Sequence, residues 1–209
     1  NCITNEMESF YIDTQNDSST ISILNCKFEN CISSNRIVVN YKGTINVDSC
    51  TFKFDDANNA CGAISLGSKT FTLKNSNFIK TNCLGAVKFA SNGVHKNLPI
   101  VIDNCMFDSC LGSNKRCFDV STYTNNIQFK NTLIQNMPAT DRNGYILSFA
   151  CNNNLETFVF ENITFRNNRC SSDYGGGSGI WITDVENMEF KDCHFIGNTA
   201  LKDSTPRDK

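Results

Sequence analysis

Hydrophobic and polar residues recur along the chain in one pattern, apolar-x-apolar-x-Asn-Cys-x-Phe. One copy runs Ile21-Ser-Ile23-Leu-Asn25-Cys26-Lys-Phe28, and another runs Ile100-Val-Ile102-Asp-Asn104-Cys105-Met-Phe107. Alternation of apolar and polar residues over four to six positions predicts a β-strand. The final residue of the pattern recurs 24 to 31 residues apart, at Phe28, Phe52, Phe78, Phe107, Ile134, Phe165 and Phe195.

A second alternating run in most repeats follows a glycine, as in Gly62-Ala-Ile-Ser-Leu66 and Gly85-Ala-Val-Lys-Phe89. A repeat with two or three short strands and no helical segment cannot bury its own apolar face, whereas stacked copies can. The pattern therefore predicts an all-β fold, a right-handed parallel β-helix of about seven to eight coils. We expect one domain over residues 1–200, starting within a repeat, and a polar tail over residues 201–209.

Stacking assigns each repeat position to a column of equivalent residues. Two apolar columns are predicted to fill the interior: Ile21, Ile45, Phe71, Ile100, Ile127, Phe158 and Met188, and Ile23, Val47, Leu73, Ile102, Phe129, Phe160 and Phe190. Asn tolerates the left-handed backbone conformation that a tight bend requires. We therefore predict an asparagine ladder at a turn, formed by Asn25, Ser49, Asn75, Asn104, Asn131, Asn162 and Asp192.

A predicted outward column supports this register because its residues play no part in defining the repeat. Its charges alternate in sign: Asp48, Lys74, Asp103, Lys130, Glu161 and Lys191. Pairs of this kind contribute about 0.2–1 kcal/mol each, so we expect them to mark the register more than to stabilise the fold.

The 12 cysteines show neither CxxC pairs nor zinc-site spacing, so no metal site is predicted. High cysteine content suits an oxidising compartment, and sequons at Asn16 and Asn162 agree with an extracellular or cell-surface location. Five cysteines share one column and are predicted to be small buried residues: Cys2, Cys26, Cys50, Cys105 and Cys193. Any disulfides are expected among the loop cysteines, with the pairing left open: Cys31, Cys61, Cys83, Cys110, Cys117, Cys151 and Cys170.

Charge and hydropathy exclude several functions. The net charge is −2 and the 19 basic residues are scattered, which argues against nucleic-acid binding. No apolar run has the length of a membrane-spanning helix, so we expect no direct membrane insertion by this segment. No cofactor is predicted.

Candidate catalytic residues are few. The outward positions of the glycine-preceded strands are predicted to be Tyr11, Val38, Ser65, Lys88, Asp119 and Trp181, with the position between Asp119 and Trp181 left open. One acid in this row is too few for hydrolysis or for calcium-assisted elimination. Asp55 and Asp56 are adjacent acids expected in a loop, which leaves Asp55, Asp56 and Asp119 as weak catalytic candidates. Trp181 and Tyr174 are candidates for stacking on a sugar ring, and His194 is expected to face solvent.

Two short motifs point to a family. Phe165-Arg-Asn-Asn168 and Phe195-Ile-Gly-Asn198 carry a Phe-x-x-Asn motif, and Gly62-Ala-Ile64 and Gly85-Ala-Val87 carry a Gly-Ala-apolar motif. Together they resemble the repeats of the polymorphic outer-membrane proteins, which are surface-displayed right-handed β-helices of pectin-lyase-like fold. The resemblance spans nearly the whole chain but does not include the family's membrane-inserted barrel. It implies adhesion, host contact or antigen display.

The sequence thus favours a non-enzymatic extracellular segment that contacts a protein or glycan of a host or neighbouring cell. Further repeats of the same parent protein are a second expected partner. The alternative is a carbohydrate-active enzyme, either a polysaccharide lyase or a glycoside hydrolase. A cluster of acids on one face of the solenoid would distinguish the enzyme from the adhesin.

Overall fold

A computed structural model of the chain describes residues 8–12, 18–30, 36–40, 43–54, 62–66, 70–81, 86–90, 100–110, 117–122, 126–138, 146–172 and 179–202. These residues form β-strands and turns, and no helix occurs among them. The strands in the first half of the chain are β1 (Glu8–Ile12), β2 (Thr20–Leu24), β3 (Lys27–Glu29), β4 (Arg36–Asn40), β5 (Thr44–Asp48), β6 (Thr51–Lys53), β7 (Gly62–Leu66), β8 (Thr70–Lys74), β9 (Asn77–Ile79) and β10 (Val87–Ala90). The strands in the second half are β11 (Ile100–Asp103), β12 (Met106–Asp108), β13 (Phe118–Thr122), β14 (Asn126–Lys130), β15 (Leu133–Gln135), β16 (Leu147–Glu161), β17 (Thr164–Arg166), β18 (Arg169–Ser172), β19 (Ile180–Lys191), β20 (His194–Ile196) and β21 (Thr199–Lys202).

The strands form three sheets in which the described pairs are parallel. A twelve-stranded sheet has the order β1-β4-β7-β10-β13-β16-β14-β11-β8-β5-β2, and β19 pairs with β16. A seven-stranded sheet has the order β20-β17-β15-β12-β9-β6-β3, and β18 pairs with β21. Strands that are neighbours in a sheet come from successive repeats, so the described residues form an all-β parallel β-solenoid.

The strand register confirms both predicted interior columns. Ile21 pairs with Ile45, Ile45 with Phe71, and the pairing continues to Met188. The middle members are buried, but Met188 and Phe190 are 51% and 45% exposed because they lie in the last described layer. Each fully buried side chain contributes about 1.5–3 kcal/mol, which makes the interior the main stabilising element.

The recurring Phe forms a third interior column. Phe28, Phe52, Phe78 and Phe107 stack face to face, with ring centroids 4.7, 4.8 and 4.9 Å apart. Ile134 interrupts the column, which resumes with Phe165 stacked on Phe195 at 4.9 Å. The spacing matches the distance between neighbouring strands, so each ring lies directly over the next.

The predicted asparagine ladder forms a turn in which every member has a left-handed backbone. We call this the first turn; its φ angles lie between 48° and 55° at Asn25, Ser49, Asn75, Asn104, Asn131, Asn162 and Asp192. Asn104 Nδ2 donates to Asn75 Oδ1 at 2.7 Å, and Asn162 Nδ2 donates to Asn131 Oδ1 at 2.9 Å. The ladder prediction is confirmed at these positions.

A second left-handed turn, which the repeat pattern did not predict, follows the short strands of the seven-stranded sheet. Its positive-φ residues are Asn30, Lys80, Ser109, Asn136, Asn167 and Gly197. These residue types vary, so no column of like residues marks the turn. The signal was the Phe-x-x-Asn motif, whose final residue lies one position after the left-handed one.

Candidate functional site

The outward positions of the glycine-preceded strands form one row along the twelve-stranded sheet. Ser65 pairs with Lys88, Lys88 with Asp119, and Asp119 with Ser148, and Ser148 pairs with Trp181. We call Ser65, Lys88, Asp119, Ser148 and Trp181 the outer row. Asp119 and Trp181, which the sequence proposed for different roles, thus lie in the same row with one layer between them.

The outer row differs from the prediction at Val38. Val39 pairs with both Tyr11 and Ser65, whereas Val38 pairs with Phe10 and Ile64. Ile64 is fully buried, so Val38 belongs to an interior register. The sequence Ile37-Val38-Val39 has no polar residue to show which positions face outward, and the prediction was therefore wrong by one residue.

The position that the sequence left open in this row is Ser148. Its side chain is 1% exposed, and its Oγ has no hydrogen-bond partner among the residues that the structure describes. The neighbouring Lys88 and Asp119 are half-buried. Only the backbone of Trp181 belongs to the described part of the chain, so the proposed stacking of its ring on a sugar remains a prediction.

Several other candidates lie outside the described residues. These are Asp55, Asp56, Tyr174 and the sequon residue Asn16. The second sequon residue, Asn162, is exposed and uses its Nδ2 in the ladder bond to Asn131. A glycan attached at Asn162 would share this nitrogen with the ladder.

The acids of the alternating column act as hydrogen-bond acceptors for the first turn. Asn75 Nδ2 donates to Asp48 Oδ1 at 2.8 Å, and Asn131 Nδ2 donates to Asp103 Oδ1 at 2.8 Å. Hydrogen bonds from Asn75 and Ser49 lower the pKa of Asp48 below its ordinary value. In these two bonds an aspartate oxygen accepts the hydrogen bond that an asparagine Oδ1 accepts elsewhere in the ladder. The alternation of charge along the column does not predict this role.

The register confirms the predicted alternation of charge in this column. Lys130 Nζ lies 3.3 Å from Glu161 Oε2, an ion pair within the column. Lys191 instead pairs with Glu189, at 2.7 Å, and this carboxylate raises the pKa of Lys191. A lysine side chain is long enough to form an ion pair either with an acid of the neighbouring layer in the column or with an acid on its own strand.

A polar network connects three neighbouring strands on the seven-stranded sheet. Gln135 Nε2 donates to Asp108 Oδ2 at 2.7 Å, and Arg166 Nε donates to Gln135 Oε1 at 3.1 Å. The other Asp108 oxygen accepts bonds from Ser109 Oγ at 2.8 Å and Asn136 Nδ2 at 3.1 Å. The Asp108 carboxylate thereby accepts hydrogen bonds from three neighbouring side chains, and Arg166 joins the network through Gln135.

The thiols of the cysteine column are buried or half-buried and also donate hydrogen bonds to backbone carbonyls. Cys50 and Cys105 are 1% and 4% exposed, as predicted, while the end members Cys26 and Cys193 are half-buried. Cys105 Sγ donates to the Asp103 carbonyl at 3.3 Å, as Thr132 Oγ1 does to the Lys130 carbonyl at 2.7 Å. Burial raises the pKa of Cys105 to about 12. Cys105 is therefore a structural thiol that is protonated at neutral pH.

Two of the loop cysteines proposed for disulfides, Cys110 and Cys117, are free thiols and fully buried. The Cys117 side chain hydrogen-bonds to Cys110, and burial raises the pKa of Cys117 well above its usual value. Cys110 Sγ also donates to the Phe78 carbonyl at 3.2 Å.

Two further findings concern the described residues alone. They contain no group of three or more His, Cys, Asp or Glu side chains placed to hold a metal ion. They also include no helix with the length and apolarity of a membrane span. His194 is exposed, in agreement with its predicted outward position.

Comparison with models of known protein families, with curated proteins and with solved structures finds no match to this chain.

Proposed function

We propose that the chain is a non-enzymatic segment of an extracellular or cell-surface protein, a rod that presents its outer faces and loops to a protein or glycan partner. We further propose that the rod is a right-handed parallel β-helix of seven to eight coils. The seven strands of the second sheet support this number of coils, and the general preference of parallel crossovers supports this hand.

The observation that carries the proposal is the use of outward carboxylates as structural acceptors. Asp48 and Asp103 accept from ladder amides, Asp108 accepts from three side-chain donors, and Glu161 pairs with a lysine. A catalytic acid or base must instead present its oxygen to a substrate. These acids connect neighbouring layers of the solenoid, so their role is structural.

The motif resemblance to polymorphic outer-membrane protein repeats supports the surface location and the adhesive role. High cysteine content and the two sequons are consistent with this location. The function is then contact with another cell's protein or glycan, with the half-buried Lys88 and Asp119 of the outer row in one surface that such a partner reaches.

A carbohydrate-active enzyme remains the second candidate because the register places Lys88 directly beside Asp119. A lysine beside a carboxylate is a combination that general acid–base catalysis uses, and Trp181 lies in the same row. On this alternative, Asp119 would touch the substrate.

The test is to incubate the purified chain with a panel of acidic and neutral polysaccharides, measuring both new reducing or unsaturated ends and retention on immobilised polymers. We expect no new ends. Retention of one polymer, lost on Asp119→Asn or Trp181→Ala, would place glycan contact on the outer row. New ends would overturn the non-enzymatic proposal.

Asp103→Asn is the matched control, because Asp103 is another outward acid but belongs to the alternating column. Loss of cleavage in Asp119→Asn but not in Asp103→Asn would establish the enzymatic alternative. Equal loss in both variants would indicate damage to the fold.

A further inference from the structure

Two buried cysteines, Cys110 and Cys117, lie on different sides of one layer of the solenoid. Cys110 follows the second turn, two residues after strand β12 of the seven-stranded sheet. Cys117 directly precedes strand β13 of the twelve-stranded sheet. Both are free thiols, 0% and 1% exposed, and both belong to the hydrophobic core. The chain therefore brings two thiols into its interior from two sheets.

Hydrogen bonds to neighbouring layers hold both cysteines in place. Ala86 N donates to the Cys117 carbonyl at 2.8 Å, and Cys117 N donates to the Ile146 carbonyl at 2.9 Å. Cys110 Sγ donates to the Phe78 carbonyl at 3.2 Å. Because these partners belong to the layers on either side, the positions of the two thiols are set by the stacking of the solenoid.

The two side chains meet in the interior, where the Cys117 thiol is hydrogen-bonded to Cys110. A disulfide requires Cβ atoms about 3.5–4.5 Å apart and side chains that point towards each other. Two thiols that enter the core from different sheets and touch there meet the second condition. A covalent bond then needs only a further approach of the sulfur atoms, to about 2.05 Å.

The neighbouring pair Cys26 and Cys50 shows the opposite geometry. These residues belong to one column of parallel strands, in which Leu24 pairs with Asp48. Cys26 Sγ donates to the Leu24 carbonyl at 3.3 Å, and Cys50 Sγ donates to the Asp48 carbonyl at 3.2 Å, so their side chains project in the same direction. Side chains that project in the same direction cannot be bridged without backbone movement.

The neighbouring layer shows that packing does not require cysteine at these two positions. The register of β9 with β12 places Thr81 beside Cys110, and the register of β10 with β13 places Ala86 beside Cys117. Thr81 and Ala86 are both fully buried. The same two positions thus accept residues without sulfur, and the presence of cysteine at both in one layer calls for another explanation.

We propose that Cys110 and Cys117 form an intramolecular disulfide when the chain folds in an oxidising compartment, and that this bond ties the two sheets together within one layer. The bond closes a ring of eight residues in the sequence. The inference rests on the extracellular location in the proposed function and is independent of any contact with a partner. The structure describes the same pair in its reduced form.

The oxidant is a small-molecule disulfide, such as oxidised glutathione. The thiolate of one cysteine attacks a sulfur of this reagent, which forms a mixed disulfide and releases one thiol. The thiolate of the second cysteine then attacks the cysteine sulfur of the mixed disulfide, so that the protein disulfide forms and the second thiol leaves. The two cysteines lose two protons and two electrons, and the reagent takes them up as it becomes two thiols.

Burial determines when this exchange takes place. It raises the pKa of Cys117, so the folded chain holds little of the reactive thiolate. A reagent also cannot reach a sulfur that is fully buried. The exchange is therefore completed before the layer closes, and the finished bond is protected from reductants afterwards.

Peptide mapping after oxidative refolding tests the proposal. The reduced chain is refolded with reduced and oxidised glutathione, quenched with acid, alkylated in denaturant and digested with trypsin. Trypsin leaves Cys110 in the peptide of residues 97–115 and Cys117 in the peptide of residues 117–130. Cys105 shares the first peptide, so Cys105→Ser is mapped as the matched control.

We expect the two peptides to be joined in most molecules of both the parent chain and Cys105→Ser. Recovery of Cys110 and Cys117 as alkylated thiols, from a chain whose circular dichroism shows β-sheet, would overturn the proposal. A bond from either cysteine to a third one would also overturn it. This readout involves no glycan or protein partner, so its failure is distinguishable from failure of the adhesive function.

Thermal unfolding of a variant without the pair provides a second test. Cys110→Thr combined with Cys117→Ala copies the residues of the neighbouring layer, so we expect this variant to fold. Oxidation should raise the unfolding temperature of the parent chain by about 3–8 °C more than that of the variant, which keeps the other cysteines. An equal rise in the two chains would show that the bond does not form.

Discussion

The turns at Asn131 and Asn136 lie at opposite ends of strand β15 and have the same left-handed backbone, with φ angles of 48° and 55°. They differ in where the cross-layer hydrogen bond is made. In the first turn, the left-handed residue itself bonds to the neighbouring layer, as Asn131 does to Asp103. In the second turn, the residue one position later makes the bond, as when Asn168 Oδ1 accepts from Met137 N at 3.1 Å.

This difference explains the residue types found in the two turns. Where the left-handed residue also supplies the hydrogen bond, only Asn, Asp or Ser is found. Where the next residue supplies it, the left-handed position accepts Gly197, before Asn198, as well as Asn167, before Asn168. A column is restricted to few residue types when each member must both adopt the left-handed backbone and make the hydrogen bond between layers. Its residue types vary when only the left-handed backbone is required.

The largest expected effect comes from removing the buried amide of the second turn. Asn168 is 2% exposed, accepts from Met137 N, and donates to the Ile134 carbonyl at 2.9 Å. Asn168→Ala leaves both backbone groups unpaired in the interior, so we expect a loss of about 3 kcal/mol of unfolding free energy in urea titration.

Asn198→Ala is the matched control for that change. Asn198 makes the equivalent bonds, accepting from Asn168 N at 3.0 Å and donating to the Phe165 carbonyl at 2.8 Å, but it is exposed. Water replaces its bonds, and the expected loss is about 1 kcal/mol. Equal losses in the two variants would show that burial does not distinguish these positions.

A smaller effect is expected in the first turn. Asn131→Ala removes two exposed ladder bonds and forces a Cβ-bearing residue without a polar side chain to keep a left-handed backbone. We expect a loss of about 1–2 kcal/mol. Asn131→Gly should recover about 1 kcal/mol of this, since glycine adopts the conformation freely. If Gly and Ala were equally destabilising, the backbone requirement of the first turn would be refuted.

The ladder acid Asp48 gives a pH-dependent contribution. Its pKa is lowered in the folded chain, so the stabilisation is complete above the unfolded value of 3.8 and is lost as pH falls through the folded value. Asp48→Asn should therefore be less stable than the parent chain at pH 6, by at most about 1 kcal/mol because solvent screens this half-buried carboxylate, and the difference should shrink below pH 3.8. A difference that stays constant with pH would contradict this role.

The smallest effect is expected for Cys105→Ser. Ser76 and Thr132 occupy the same column and donate to the same kind of carbonyl, at 2.6 and 2.7 Å. A serine at 105 can make this bond, so the change in unfolding free energy should stay within about 1 kcal/mol. Cys105→Val, which removes the donor but keeps the size, should be the more destabilising of the two.

The alternation of apolar and polar residues predicted the interior columns, the ladder and the register, because each depends on residues that repeat at the same position. It could not predict Val38, since three apolar residues in a row carry no alternation. It also missed the second turn, where the backbone requirement and the hydrogen bond fall on different residues. Ser148 completes the outer row only because strand pairing aligns it with Asp119 and Trp181.

The number of residues between hydrogen-bonded positions of neighbouring layers is nearly constant along the chain, and this number affects how the chain folds. Hydrogen bonds connect residues 26 apart at Cys50 and Ser76, 27 apart at Cys105 and Thr132, and 31 apart at Met137 and Asn168. The entropy of closing a loop depends on its length, so each added layer costs about the same as the one before. Folding can then spread from any completed pair of layers toward both ends, and a longer solenoid need not fold more slowly than a short one.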